Sequence, residues 1–395
     1  MWNENSVMSE RIKMITEYES GEYTISELAG EYGVSRKTIY KWIERFEAVG
    51  WEGLKDQSRA PQTHPNAVGV DIQRQLLLLK AAKPLWGAPK LRHKLLGSIG
   101  PERCPAESTV SEILRRHGLS ARRGRARRAV PSEQPLVHCR QANQVWCADF
   151  KGWFRTTNGQ KCTPLTISDA HSRYLGEATG FASVKPLFIQ TFREHGLPGA
   201  IRTDNGAPFA SLGLGGLSPL AVWWVRLGIG LERIEPGAPQ QNGRHERMHR
   251  TLKEATAQPP ARSLSAQQER FDRFRREYNE ERPHEALGQQ TPASVYEPSV
   301  KDYPERMPEP GGYPDDWEKR IVRKGGQIKW KGQDIRLTNA LWGQEIGLEP
   351  VGEGQWAVHF ETLRLGTFDE RKGRMVERCT RLPTCAPEES LERSE

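Results

Sequence analysis

An arginine-rich segment divides this chain into two parts with different sequence patterns. Between Arg115 and Arg128, in RRHGLSARRGRARR, seven of fourteen residues are Arg. So much charge predicts a boundary between folded parts, because it is either a solvated linker or a segment that follows nucleic-acid phosphates. The second interpretation assigns phosphate contacts to five arginines of the segment: Arg122, Arg123, Arg125, Arg127 and Arg128.

Length and charge narrow the class of protein. The 395 residues predict two to four domains, and the net charge of +8 favours an anionic partner. Six cysteines without a C-x-x-C pair predict free thiols in a reducing compartment. The chain start lacks the pattern of a signal peptide, and the longest aliphatic run is the four leucines at 76–79. We therefore expect a cytoplasmic protein that does not enter a membrane.

The first sixty residues predict a helix-turn-helix domain. Thr24 with Glu27 three residues later is the pattern of a capping box, and Ser35 can cap a second helix after the turn at Gly33. A helix, a short turn containing Gly and a second helix form the DNA-binding unit whose second helix enters the major groove. The predicted DNA contacts lie at the start of that second helix and are Arg36, Lys37, Thr38, Tyr40 and Lys41.

A second helical domain, less distinct, is predicted over residues 61–130, with the arginine-rich linker at its end. Thr109 and Glu112 offer another capping box, and Gly118 predicts a helix end. Both a second helix-turn-helix and a purely structural bundle fit this pattern.

After the arginine-rich segment, the sequence predicts an α/β domain at 138–298. Three short strand patterns are followed by alternating helices and strands, which predicts a mixed sheet. A Pro-rich linker is expected at 299–320, a small β-barrel or sandwich at 321–378 and a disordered tail at 379–395. In the small domain, Trp330, Lys331, Arg336 and Trp356 would contact either DNA or another subunit.

Three carboxylates are the candidate catalytic groups. Asp149 lies inside the apolar strand VWCADF, where an ionised carboxylate needs a partner or a metal. Asp204 follows a strand and precedes Asn205-Gly206, so it is also the polar residue of a turn. Glu246 shares a helix face with His249, Arg250 and Lys253 if the helix begins near Asn242, while Met248, Leu252 and Ala255 would pack on the other side.

Two Asp and one Glu form a set of hard oxygen ligands. Mg²⁺ prefers such ligands, and Mn²⁺ accepts the same set. Two ions in one site can activate an attacking oxygen and stabilise a leaving one during phosphodiester displacement. The sequence therefore predicts Mg²⁺ or Mn²⁺ bound by Asp149, Asp204 and Glu246.

The segments WCADFKG, IRTDNGAPF and PGAPQQNGRHERMHRTLK resemble the Asp, Asp, Glu signature of bacterial insertion-sequence transposases related to retroviral integrases. In this chain 54 residues separate the two aspartates and 41 separate Asp204 from Glu246. The second gap is longer than is usual in the family, which fits an insertion around SLGLGGLSPL at 211–220. Relatives often carry two adjacent acidic residues before the Ser-Arg that stands here at 172–173, whereas this chain has Asp169 alone, so Asp169 is assigned a structural role.

The resemblance implies a ribonuclease-H-like core with Asp149 on its central strand, Asp204 after the fourth strand and Glu246 on a following helix. It also implies that Arg250 and Lys253 hold terminal DNA phosphates and that Asn242 lies near the DNA end. The expected protein binds double-stranded transposon ends and target DNA as a dimer or larger assembly, near the bacterial nucleoid. Whether an ATPase assists it is open.

Two other functions remain open at this point. One is a catalytically silent DNA-binding regulator derived from a transposase. The other is a metal-dependent nuclease that cuts DNA without joining it.

Overall fold

The computed structural model describes residues 7–56, 67–120, 136, 139–150, 152–179, 184–234 and 243–379. Two compact units can be distinguished, one up to Gly69 and one from Val70 onward. The arginines predicted at 122–128, Asn242 and the predicted tail from 380 lie outside the described residues. None of the described helices is long and apolar enough to cross a membrane.

The first unit is a bundle of three helices. They are α1 (Val7–Ser20), α2 (Ile25–Glu31) and α3 (Arg36–Val49). The predicted capping box is confirmed: the Thr24 side chain accepts from the Glu27 amide, and the Glu27 carboxylate accepts from the Thr24 amide. Ser35 caps α3 by accepting from the Thr38 amide. Apolar residues from all three helices meet in one core, which contains Met14, Ile15, Leu28, Ile39, Trp42, Ile43 and Leu54.

The second unit begins with three further helices. These are α4 (Val70–Ala82), α5 (Ala88–Ile99) and α6 (Glu107–Arg116). The predicted capping box of Thr109 with Glu112 is wrong, because α6 already begins at Glu107, and Glu112 instead binds Arg115 and Arg116. The predicted helix end at Gly118 is confirmed. Gly118 has a φ of 68°, and the next residue, Leu119, donates its amide hydrogen to the Leu114 carbonyl.

A five-stranded mixed sheet follows. Its strands lie in the order β5-β4-β1-β6-β7, with β1 antiparallel to β4 and parallel to β6. The strand bounds are β1 Val145–Phe150, β4 Leu165–Asp169, β5 Leu175–Thr179, β6 Ala200–Thr203 and β7 Gly230–Arg233. A two-stranded hairpin of β2 (Phe154–Arg155) and β3 (Lys161–Cys162) stands between β1 and β4 in the chain.

Helices pack against this sheet and carry the chain onward. They are α7 (Val184–His195), α8 (Pro219–Arg226), α9 (Gly243–Thr256) and α10 (Leu264–Arg276). A π-helical turn at Glu277–Glu281 continues α10. Asp169 is structural, as expected: its carboxylate accepts from the amides of Asn143 and Ser172 and from the Ser172 hydroxyl, which fixes the turn after β4.

The C-terminal part contains two open antiparallel sheets. One has the strand order β14-β13-β12-β11-β8 and the other pairs β10 with β9, and neither closes into a barrel within the described residues. The bounds are β8 Glu318–Ile321, β9 Gln327–Trp330, β10 Gln333–Arg336, β11 Glu345–Gly352, β12 Gln355–Phe360, β13 Leu363–Asp369 and β14 Arg374–Arg378. Trp330, predicted as a contact residue, is buried, and its indole and that of Trp356 both donate to Glu370.

These sheets share a hydrophobic core with the mixed sheet. A single cluster of buried side chains includes Phe188 and Trp224 from the mixed-sheet part and Leu341, Leu348 and Phe360 from the C-terminal part. The segment at 211–220 lies at this junction, where the Gly215 amide donates to the Cys379 carbonyl at 2.8 Å.

Candidate active site

The two aspartates lie at the same end of neighbouring parallel strands. The β1–β6 register pairs Cys147 with Arg202, and continuing it by two residues on each strand brings Asp149 level with Asp204. Adjacent strands are about 4.8 Å apart, and residues of equal register point to the same face. Both side chains are partly exposed. The topology therefore places Asp149 and Asp204 at the carboxyl ends of two adjacent strands in the centre of the sheet.

Asp204 is held by the turn that the sequence predicted. Its Oδ1 accepts from the Gly206 amide at 3.1 Å, and the Asn205 side chain donates to the Ile234 carbonyl at 2.9 Å. A Cβ at Gly206 would approach Asp204 Oδ2 to 3.2 Å, so the close return of the chain favours glycine there. Arg233 at the end of β7 adds a nearby cation, although burial lowers the pKa of its guanidinium.

Glu246 lies in the first turn of α9 with its side chain exposed. Arg250 and Lys253, four and seven residues later, are exposed as well, so this part of the predicted cationic face is present. The prediction for His249 is wrong, because that side chain is buried against the sheet. Ala255, predicted to pack, is exposed.

A buried polar network joins α9 to the central strands. The Thr166 hydroxyl on β4 lies 2.7 Å from His245 Nε2 and 2.6 Å from His249 Nε2. His249 Nδ1 lies 3.7 Å from Asp149 Oδ2. Burial lowers the pKa of His245 to about 4, so this imidazole is neutral near pH 7. The network therefore fixes the helix that carries Glu246 over the sheet face that carries Asp149.

The histidine network was missed at the level of sequence. Two signals were available: His245 and His249 are four residues apart and share a helix face, and Thr166 interrupts an apolar strand. Neither signal identifies the partner strand, since that contact joins residues about eighty positions apart.

The three carboxylates do not form a preformed metal centre. Across the described ranges, no group of three or more His, Cys, Asp or Glu side chains is arranged to hold an ion. Asp149 and Asp204 lie at the carboxyl ends of the adjacent strands β1 and β6, and Glu246 lies on the covering helix with an exposed side chain.

The predicted DNA contacts of the first unit lie at the start of α3. Arg36, Lys37, Tyr40 and Lys41 are exposed there. Thr38 is half-buried, and its hydroxyl lies 2.9 Å from the Ser35 hydroxyl, so this residue belongs to the helix cap as well.

Three family models match the chain. An integrase core domain matches residues 227–292, a helix-turn-helix domain residues 10–62 and a homeodomain-like domain residues 38–114. The integrase match contains Glu246, whereas Asp149 and Asp204 precede it.

The curated proteins that are similar to this chain include two proteins of insertion elements. A 31.7 kDa protein of insertion element IS407 from Burkholderia multivorans is 28% identical over 47% of this chain and 66% of its own length. A 39.2 kDa protein of insertion element IS476 from Xanthomonas euvesicatoria is 30% identical over 44% of this chain and 49% of its own. The chain thus spans less than two thirds of either relative.

The solved structures that are similar to this chain include the following two, both with low TM-scores. The catalytic core of HTLV-2 integrase in complex with magnesium has a TM-score of 0.30 and 15% identity, covering 40% of this chain and 97% of that one. The simian T-cell lymphotropic virus intasome in complex with a PP2A regulatory subunit has a TM-score of 0.34 and 16% identity, covering 73% and 97%.

The chain therefore contains a segment similar to an integrase core domain and segments similar to helix-turn-helix and homeodomain-like domains. The curated relatives that the chain resembles are proteins of bacterial insertion elements.

Proposed function

We propose that this protein binds the terminal inverted repeats of a mobile element, cleaves the 3′ ends and joins them to target DNA. The observation that supports the proposal is that Asp149 and Asp204 lie at the carboxyl ends of adjacent parallel strands, with the helix that bears Glu246 bound to the same sheet through His245 and His249. Carboxylates are ligands for the metal ions that assist phosphodiester cleavage, so this set of three is suited to such a site.

The donor set fits Mg²⁺ or Mn²⁺, since carboxylate oxygens are the preferred ligands of both. Asp149, Asp204 and Glu246 would hold the metal, with two ions expected per site. When bound, these ions supply an activated oxygen nucleophile and neutralise charge on the scissile phosphate. The exposure of Glu246 leaves its carboxylate accessible to a ligand that the two aspartates share.

The chain's own residues position the reacting groups. The His249 ring beside Asp149 and the bond from the Thr166 hydroxyl to the Asp149 carbonyl at 3.3 Å restrict the central strand. Arg250 and Lys253 are exposed on the same helix as Glu246 and would bind the terminal phosphates. Water would attack first to free a 3′-hydroxyl, and that hydroxyl would attack the target in the second displacement.

Sequence recognition would come from α3. Its exposed Arg36, Lys37, Tyr40 and Lys41 would meet base edges and phosphates, with Thr38 beside them. The arginines at 122, 123, 125, 127 and 128 would follow the backbone, and Asn242 would lie near the DNA end. Since two ends must be held together, we propose a dimer or larger assembly that acts at the bacterial nucleoid.

One gel experiment tests this proposal. Wild type, Glu246→Gln and Glu254→Gln are each incubated with Mg²⁺ and a labelled duplex that ends in the element's repeat. Glu254 is the matched control, because it is an exposed glutamate of the same helix. We expect wild type and Glu254→Gln to cut and join, and Glu246→Gln to bind without cutting.

The other outcomes point to the alternatives. Binding by all three proteins with cleavage by none would identify a silent regulator. Cut ends that accumulate without joined product would identify a nuclease.

A further inference from the structure

An exposed tryptophan directly precedes the hairpin of β2 and β3, close in the chain to Asp149. Trp153 directly precedes β2 and is 60% exposed, although an indole of that size is usually covered. It follows Asp149 by four residues, which limits the separation of their Cα atoms to about 14 Å. The hairpin is therefore continuous with the strand that carries the first carboxylate.

The hairpin is also fixed to the helix that carries Glu246. Phe154 packs on a buried cluster that contains Cys162 of the hairpin and Met248 and Leu252 of α9. At the hairpin tip, the Thr157 amide donates to the Ala261 carbonyl at 2.9 Å. These contacts therefore hold the hairpin in place while the Trp153 indole stays in solvent.

The charge around the indole is positive. The Arg155 guanidinium lies 5.8 Å from the Trp153 ring centre and the Lys161 ammonium lies 5.4 Å from it. Both cations are exposed, and residues 152–162 contain no carboxylate. An exposed aromatic ring with adjacent cations is how proteins hold an unpaired base and its phosphate.

We propose that Trp153, Arg155 and Lys161 form a binding site for an unpaired nucleotide at the DNA end that is being processed. The indole stacks on the base, and the two cations hold the flanking phosphates. This site rests on the proposed function for its DNA substrate, and it adds a contact that distinguishes an unpaired end from a blunt one.

The test uses full-length protein without divalent metal, so that no cleavage occurs. Duplexes carry 2-aminopurine either in an unpaired terminal nucleotide or in a blunt end, and fluorescence reports stacking. The variants are Trp153→Ala, Trp153→Phe and Trp342→Ala. Trp342 is the matched control, because it is 61% exposed and belongs to the same compact unit.

We expect wild type, Trp153→Phe and Trp342→Ala to quench the unpaired probe. Trp153→Ala should lose the quenching and bind the unpaired end about 5-fold to 100-fold more weakly, as expected for one stacked base. Replacing both Arg155 and Lys161 by Ala should also reduce the salt dependence of binding.

Quenching by Trp153→Ala equal to that of wild type would overturn the site, and so would absence of quenching by wild type. If Trp153-dependent quenching is found while the Mg²⁺ assay gives no cleavage, the site stands and the proposed catalysis fails.

Discussion

Arg202, two residues before Asp204, forms a buried ion pair with Glu232 on the neighbouring strand. The Arg202 Nε donates to Glu232 Oε2 at 2.9 Å, and its Nη2 lies 2.8 Å from the same oxygen. The pair connects β6 to β7 on the sheet face that carries the two aspartates. Its charges are taken from water, so each depends on the other.

We predict that Glu232→Ala lowers the free energy of unfolding by about 3–5 kcal/mol, because it leaves the Arg202 charge buried without its main partner. The double change of Arg202→Met with Glu232→Leu should cost less, since it removes both charges. Urea unfolding of the three proteins measures the difference. A double variant that is less stable than Glu232→Ala would contradict this account.

At the scale of single residues, the sequence identifies candidate functional side chains better than it predicts whether a side chain is buried and what it contacts. Asp149 and Asp204 are candidates because of local patterns, a carboxylate in an apolar strand and an Asp-Asn-Gly turn, and their role as metal ligands stays a prediction. The burial of His249 could not be predicted from the sequence, because the helical period alone places His249 on the same face as Glu246. Only contact with Thr166 on a distant strand decides which side of α9 faces the sheet.

At the scale of elements, α3 presents its cations in the first two turns. Arg36 and Lys37 are exposed, and the Ser35 cap fixes the helix start at this point. A helix whose start is fixed places its first side chains in a defined register against a groove.

We predict that Arg36→Ala and Lys37→Ala each weaken binding to the repeat, because each removes a phosphate or base contact. For each lost phosphate contact, the slope of log affinity against log salt should fall by about 0.9. Lys55→Ala is the control, since Lys55 belongs to the same unit and already pairs with Glu52 at 2.6 Å. Fluorescence anisotropy over a salt series measures the slopes, and equal slopes for all proteins would exclude α3 from the contact.

Element boundaries followed local chemistry where a cap or a glycine set them, as at Thr24 and Gly118. They failed where another side chain or a neighbouring strand competed with the predicted local contact. Glu112 was assigned to a cap, yet two arginines of its own helix bind it. Strand β8 begins at Glu318, inside the predicted linker, because pairing with β11 extends it.

At the scale of the whole second unit, the mixed sheet and the C-terminal sheets share one core. Leu341 is fully buried in the cluster that also contains Trp224. Arg226 at the end of α8 binds Glu361 at 3.2 Å across the same junction. The order of the strands and this junction depend on contacts far apart in the chain, and no local pattern predicts them.

We predict that Leu341→Ala destabilises both sheets together by about 2–5 kcal/mol, the usual cost of a cavity in a packed core. Hydrogen exchange of β1 and β12 amides measures this, and both should speed up alike. Ile321→Ala, at an exposed position of β8, is the control. Faster exchange confined to β12 would show that the sheets unfold independently.

The shared core also predicts what happens to a chain that lacks the C-terminal sheets. A premature stop codon after residue 298 would keep all three carboxylates and the DNA-reading helices. It would also remove the cover from Trp224 and its neighbours, and large apolar patches left in water promote aggregation and proteolysis. Such a shortened chain is expected to be degraded, so it would not accumulate beside the intact protein.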